Sequence, residues 1–395
     1  MKTRAAILVM LFLCGGAAGS EFVTIEDKKI AGELEAVTEK GAVSIASEGA
    51  TVTVPADELK RIRFGQGREA EEPLAGVVAY FPRGDRITGK LAAASKTHVT
   101  VSGRALGEVR IPLESLLAVE FRRAGERPND AARMREQMLG NRSKNDVSFS
   151  ANGDQMPGIL VGFGKDQVVL QTELGEVKLK TARLFGVSFA GREHKAPPPS
   201  LLAVARCTDG SVVTGELLPS KSGVRLRLVA GPTVQVPTRR LVEILFKQGK
   251  LVYLSDLEPV KATTRPYFGG DHTWPYRKDE SYDRKPIRLG GETYRKGLGT
   301  FSGMKLTYRL GGEFSKFAAL VGIDDADVNH HGNVTVRLLA DGKERFRKAG
   351  LTRKSGPVKV KLSVAGVDRL TLVVDFGENM HFGDLTDWAD AHLIR

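Results

Sequence analysis

The chain reads as all-β: four small β-barrels in tandem followed by one jelly-roll β-sandwich. Three observations carry that reading. A polar turn, a Gly-x-Leu step, a strand pair and an apolar-x-Phe ending recur four times, a fixed period that marks internal repeats. Alternation of apolar and polar residues fills the last third, as in Leu306-Thr307-Tyr308-Arg309-Leu310, Val334-Thr335-Val336-Arg337-Leu338 and Val358-Lys359-Val360-Lys361-Leu362, the period of strands with one buried face. Turn formers stand between such runs, among them Asp341-Gly342, which tolerates the positive φ of a tight hairpin.

Residues 1–20 read as an export signal. Lys2 and Arg4 precede the apolar run Ala5 to Leu13, which ends in the small residues Gly15-Gly16-Ala17-Ala18-Gly19-Ser20. Cys14 makes a poor lipid attachment site because Phe12 and Leu13 are bulky, and no other stretch reaches transmembrane length. The mature chain is therefore expected in the periplasm or outside the cell.

The repeats are placed at 21–65, 75–122, 146–190 and 201–258. Their Gly-x-Leu steps begin at Gly32, Gly89, Gly158 and Gly215, and their endings close on Phe64, Phe121, Phe189 and Phe246. Turn residues precede each step: Asp27-Lys28, Gly84-Asp85, Asn152-Gly153-Asp154 and Asp209-Gly210-Ser211. Pro55, Pro112 and Pro237 stop matched strands, because proline cannot continue a ladder. About five short strands in each repeat resemble an Sm-like or SH3-like barrel, with the closing Phe in the core. Linkers run over Gln66–Leu74, 123–145 and the Pro-rich 191–200, the last read as a semi-rigid spacer. In the second, Asp130 to Leu139 is either a short helix docking Ala131, Met134 and Met138 or a charged connector. The fourth barrel hands over between Leu251 and Thr264, and the sandwich takes 262–395.

The net charge of +12 and pI near 9.6 favour acidic partners, although the basic residues are scattered in short clusters. Of two cysteines Cys14 leaves with the signal, so Cys207 stands alone as a small buried strand residue. No Gly-x-Ser-x-Gly elbow, His-Glu-x-x-His helix or phosphate-binding loop is present, so an enzyme is not expected. Nucleic acid is disfavoured by the export signal and by the scarcity of aromatics in the repeats.

The loop Asp324 to Asn333 concentrates oxygen donors. Asp325, Asp327 and Asn329, aided by Asp384, either collect a structural Ca²⁺ or form a solvated acidic turn; Val336 stands where an EF-hand needs its closing Glu. Tyr267, His272, Trp274, Tyr276 and Tyr282 crowd a stretch without strand period, interleaved with Asp271, Arg277 and Asp279. Trp274 there is either a stacking platform or a plug. Trp388 lies in an alternating strand and reads as core.

Four blocks in the last third, Lys296-Gly297-Leu298-Gly299-Thr300, Val321-Gly322-Ile323-Asp324-Asp325, Leu372-Val373-Val374-Asp375 and Asp387-Trp388-Ala389-Asp390-Ala391, make this part resemble the NPCBM family of carbohydrate-binding modules. The resemblance implies a galactose-binding-like β-sandwich and a glycan partner. One departure is Phe301, where the family usually carries His. The expected ligand-binding residues are Trp274, Tyr276, His272, His331 and Phe301. The leading expectation is an exported, non-catalytic carbohydrate-binding protein whose barrels act as spacer or docking scaffold. The alternative is a structural or protein–protein adaptor of the bacterial envelope whose sandwich no longer binds sugar.

Overall fold

The computed structural model describes residues 19–65, 70–71, 75–125, 127–190, 200–270, 275–326 and 331–395. Residues 1–18 of the signal and most of two linkers, 66–69 with 72–74 and 191–199, lie outside them. The chain forms two contact units, one ending at Phe246 and the other spanning Lys247–Arg395.

In the first unit each repeat is five strands. The first repeat holds β1 (Ser20–Thr24), β2 (Lys29–Val37), β3 (Ala42–Ser47), β4 (Ala50–Pro55) and β5 (Leu59–Arg63). The second holds β6 (Gly76–Tyr80), β7 (Arg86–Ala94), β8 (His98–Gly103), β9 (Gly107–Pro112) and β10 (Ala118–Arg122). The third, reached through helix α1 (Pro128–Gly140), holds β11 (Asp146–Ser150), β12 (Gln155–Phe163), β13 (Gln167–Thr172), β14 (Gly175–Lys180) and β15 (Leu184–Ser188). The fourth holds β16 (Leu202–Cys207), β17 (Val212–Leu218), β18 (Val224–Leu228), β19 (Thr233–Val236) and β20 (Leu241–Lys247).

In every repeat the first strand pairs with the second on one side and the fifth on the other, so the sheet curls on itself. The recurring glycine has a steric cause. A Cβ on Gly32, Gly89, Gly158 or Gly215 would run into the carbonyl oxygen of Ala46, Ser102, Gln171 or Arg227 on the neighbouring strand. In three repeats the ladder slips just past the Leu of the step, between Leu34 and Ala36, Leu91 and Ala93, and Leu160 and Gly162, the bulge that bends a long second strand. The closing Phe64, Phe121, Phe189 and Phe246 are all buried, as is Cys207, whose thiol is pushed up to about 12 by burial and then by nearby Asp209.

The repeats are paired edge to edge by their own strands. Closing strand β5 pairs antiparallel with β20, Ile62 opposite Ile244, and β10 pairs with β15, Val119 opposite Val187. These are matched positions in the repeat, so each contact is self-complementary, the form a two-fold interface takes. Repeats two and four join by the starts of their second strands, Arg86 opposite Val212. There the Asp85 carboxylate accepts from the Thr214 N–H and hydroxyl, and Ser211 Oγ accepts from the Thr88 N–H. The order in space is thus one, four, two, three. Helix α1 braces the second and third repeats: Met134 and Met138 are buried against Val78, Tyr80, Ala118, Val147, Phe149 and Phe185. Of the two readings of 130–139, the helix is the one observed.

The second unit begins earlier than the sequence suggests. Strand β21 (Leu251–Tyr253) pairs with the last strand of the sandwich, so it belongs there and not to the fourth repeat. Then follow β22 (Lys261–Thr264), β23 (Arg277–Lys278), β24 (Ile287–Leu289), β25 (Glu292–Tyr294), β26 (Gly297–Thr300), β27 (Met304–Arg309), β28 (Lys316–Ile323), β29 (Asn333–Ala340), β30 (Lys343–Thr352), β31 (Val358–Ser363), β32 (Arg369–Phe376) and β33 (Thr386–Ile394). One sheet runs β23-β26-β33-β28-β31 with β21 also on β33; the other runs β22-β27-β32-β29-β30. Leu298, Val321 and Trp388 of the first face Leu306, Tyr308, Leu338 and Leu372 of the second in one buried core. Asp341 and Gly342 both adopt positive φ, the turn that joins β29 to β30.

Candidate functional site

The strand registers place four loops at one end of the sandwich. Thr264 ends β22 opposite Met304, which starts β27; Phe376 ends β32 opposite Val334, which opens β29. In the other sheet Thr300 ends β26 opposite Thr386, which starts β33, and Thr386 also faces Ile323, the end of β28. Residues 265–270, 301–303, 324–326 with 331–332, and 377–385 therefore all flank strand ends at the same tip. Glycines let them touch: a Cβ on Gly303 would strike the Arg265 carbonyl and the Phe376 ring, and one on Gly332 the Gly383 carbonyl.

A set of aromatic rings crowns this tip. His381 lies 5.5 Å from Phe268, 6.1 Å from Tyr267 and 6.3 Å from Phe301, and it stacks on Phe382 at 4.7 Å. Tyr267 meets Phe376 edge-on at 5.1 Å, and Tyr282 lies 5.2 Å from Phe301. Phe268 is 74% exposed and Phe382 55%, with Tyr267 and Met380 also open to solvent. Met380 holds a positive φ of 59°, strained for a non-glycine residue, beside the imidazole. The buried Nδ1 of His381 has no hydrogen-bond partner among the described residues.

Of the expected ligand-binding residues, Phe301 joins this set. His331 is exposed on the same tip, where its carbonyl accepts from the Asn379 amide at 2.9 Å. Tyr276 is placed elsewhere: its ring packs on the core and its hydroxyl donates to Glu258 at 3.1 Å, because it shares a strand face with Lys278, which also binds Glu258. His272 and Trp274 lie outside the described residues. Sequence reasoning missed Phe376 at the end of β32 and Phe268, His381 and Phe382 in loops without period; four aromatic or imidazole residues at or beside the strand ends nearest Phe301 were the available signal.

Of the expected calcium ligands, Asp325 accepts the N–H groups of Gly290 and Gly291, at 3.2 and 2.7 Å, and buried Asp384 accepts the N–H of Asn333 at 2.9 Å. Asp327 and Asn329 lie outside the described residues. Among the described residues no three acidic, imidazole or thiol side chains converge as a metal site. A different acid pair emerges. Asp387 is fully buried on β33, its carboxyl beside that of Asp324. Burial, and then the adjoining Asp324 carboxyl, raise its pKa well above the ordinary carboxylate range. Asp324 itself is committed to the Ala326 N–H at 2.6 Å.

Residues 250–394 match the NPCBM/NEW2 domain. A curated relative from Renibacterium salmoninarum, named "Putative endo-alpha-N-acetylgalactosaminidase", is 26% identical over 149 residues, which cover 34% of this chain and 10% of that protein. The chain thus spans about a tenth of the length of the curated relative it matches. Among solved structures, CBM51 from Clostridium perfringens GH95 in complex with methyl-galactose is 29% identical, covering 36% of this chain and 99% of that one, with a TM-score of 0.33. CBM51-2 and INT domains from Clostridium perfringens ZmpB are 27% identical over 37% of this chain and 31% of that one, with a TM-score of 0.34. The NPCBM/NEW2 match includes β21 and every loop of the aromatic tip. No helix among the described residues is long and apolar enough to cross a membrane.

Proposed function

We propose that the chain is an exported, non-catalytic carbohydrate-binding protein in which the tip of the NPCBM/NEW2 sandwich holds a glycan and the paired repeats form a docking scaffold. The observation that carries this reading is the ring set around His381. Pyranose C–H faces pack on aromatic rings, and a few fixed polar groups then select among hydroxyls. Exposed Phe268, Tyr267 and Phe382 offer the faces, while His381 and the tyrosine hydroxyls offer the polar contacts. The name of the Renibacterium relative, a glycosidase, supports a sugar ligand. Export is supported by the charged and then apolar start of the sequence. The non-catalytic reading rests on the missing nucleophile and metal motifs and on the sealed position of Asp324 and Asp387, which no substrate reaches.

A glycan array probed with the full chain tests this. Phe268→Ala and Phe382→Ala should each weaken binding, by about 1 kcal/mol for a lost ring stack, without changing the circular dichroism spectrum. A silent array would sink the proposal. It would leave the adaptor reading, in which the same exposed apolar rings meet an envelope protein.

A further inference from the structure

We propose that the glycan held at this tip carries an anionic group, a carboxylate or sulfate, received by Arg277; the inference rests on the glycan-binding reading above. Arg277 and Lys278 form β23, and Arg277 stands opposite Gly299 while Lys278 stands opposite Leu298. Cross-strand partners share a face. Leu298 points into the core, so Arg277 lies on the other face with Gly299 and, two residues on, Phe301. Over Gly299 passes the backbone of 280–282, which a Cβ there would strike at 2.5 to 2.6 Å, and this brings Tyr282 onto the same face. Tyr282 in turn lies against Phe301, the ring that adjoins His381.

The neighbouring cations are matched, whereas Arg277 has no ion pair among the described residues. Lys278 pairs with Glu258 at 2.6 Å, and Lys296 with Asp256 and Asp279 at 2.8 and 2.6 Å. Arg277 is half-buried, its Nε is sealed from solvent, and it has no hydrogen-bond partner or ion pair among the described residues. Its charge is felt at the Tyr282 hydroxyl, where it opposes the upward push of burial; Asp283 acts on that hydroxyl in the other sense without pairing with Arg277. A guanidinium taken halfway out of water without a counter-ion is costly, and its planar fork suits a carboxylate or sulfate gripped by two hydrogen bonds. The row of rings beside it would hold the sugar that bears the acid.

The test measures binding of the full chain to surfaces bearing sialyllactose, 3′-sulfated lactose and, as the neutral counterpart, lactose. The wild type should prefer at least one acidic glycan over lactose by about tenfold, as expected for a charge-assisted contact. That preference should shrink as salt rises. Arg277→Gln should abolish the preference and leave lactose binding unchanged, while Arg277→Lys should keep part of it; melting curves confirm that each variant folds. Separate sialylated and sulfated arms identify which acid is read. Equal binding of acidic and neutral glycans by the wild type overturns the proposal, as does a preference that survives Arg277→Gln. Wild-type binding to none of the three, with a silent array, overturns the glycan reading itself.

Discussion

At the scale of single residues, the buried acid on β33 makes the sharpest statement about stability. Asp387 keeps its proton in the folded chain to a pH well above the value at which an unfolded aspartate loses it, about 4. The folded state therefore binds more protons in that window, and stability falls as pH rises from about 4 toward the raised folded pKa, the reverse of a salt-bridged carboxylate. Asp387→Asn keeps the shape and removes the titration. Its Tm should exceed that of the wild type at pH 7, and the gap should close near pH 4, where an unfolded aspartate takes up its proton. Calorimetry across that range checks it; a variant less stable at pH 7, with a wild type that chelators destabilise, would assign the pair to a cation instead. Sequence alone marked the Asp-Trp-Ala-Asp block yet could not see this pair, because Asp324 and Asp387 meet only once β28 and β33 lie side by side. Phe301 was legible for the opposite reason: it interrupts a motif. His381 interrupts nothing, and only folding brings it to Phe301.

At the scale of elements, helix α1 shows what a short amphipathic segment gains from its surroundings. Thirteen residues are marginal as an isolated helix, so its order comes from Met134 and Met138 and from one ion cluster. Arg135 grips fully buried Glu120 with two bonds of 2.7 and 2.8 Å, while Arg122 at 3.0 Å and the Tyr80 hydroxyl at 2.5 Å complete its shell. Burial works against that carboxylate, but the hydrogen bonds from Arg135 and Tyr80 and the Arg122 charge outweigh it and hold its pKa below the usual value. Arg135→Ala should therefore cost about 3 kcal/mol or more in chemical denaturation, as when one partner of a buried ion pair is removed. Glu120→Gln with Arg135→Met should recover much of that loss, and a single variant within experimental error of the wild type would show the cluster to be dispensable. The spacing of Ala131, Met134 and Met138 allowed the helix without deciding for it. Glu120 stayed hidden because the repeat pattern reads it as the outward residue of an apolar-x-Phe ending, and it is outward until α1 covers it.

At the scale of the whole molecule, the repeats were legible and their partnership was not. Gly-x-Leu and the closing Phe report only what a repeat needs inside itself, a close strand approach and a core ring. Which edges meet is decided along the edge of the closing strand, where inward-facing Ile62 stands opposite Ile244 and Val119 opposite Val187, and by the hydroxyls of Thr88 and Thr214. At the matched place the first repeat has Ala31 and the third Pro157. Neither offers a hydroxyl and proline offers no N–H, so the two outer repeats lack the join that unites the inner pair. The arrangement has a kinetic consequence. Repeats two and three are consecutive and can pair early, whereas the first repeat must wait for the fourth, a contact of long sequence separation and hence slow closure. In pulse-labelling hydrogen exchange during refolding of the full chain, the amides of β10 and β15 should gain protection before those of β5 and β20. In a chain truncated after Ser188, the edge of β5 should exchange freely while β10 remains protected. Simultaneous protection of all four closing strands, or a protected β5 without the fourth repeat, would show that the edges do not depend on the pairing described here.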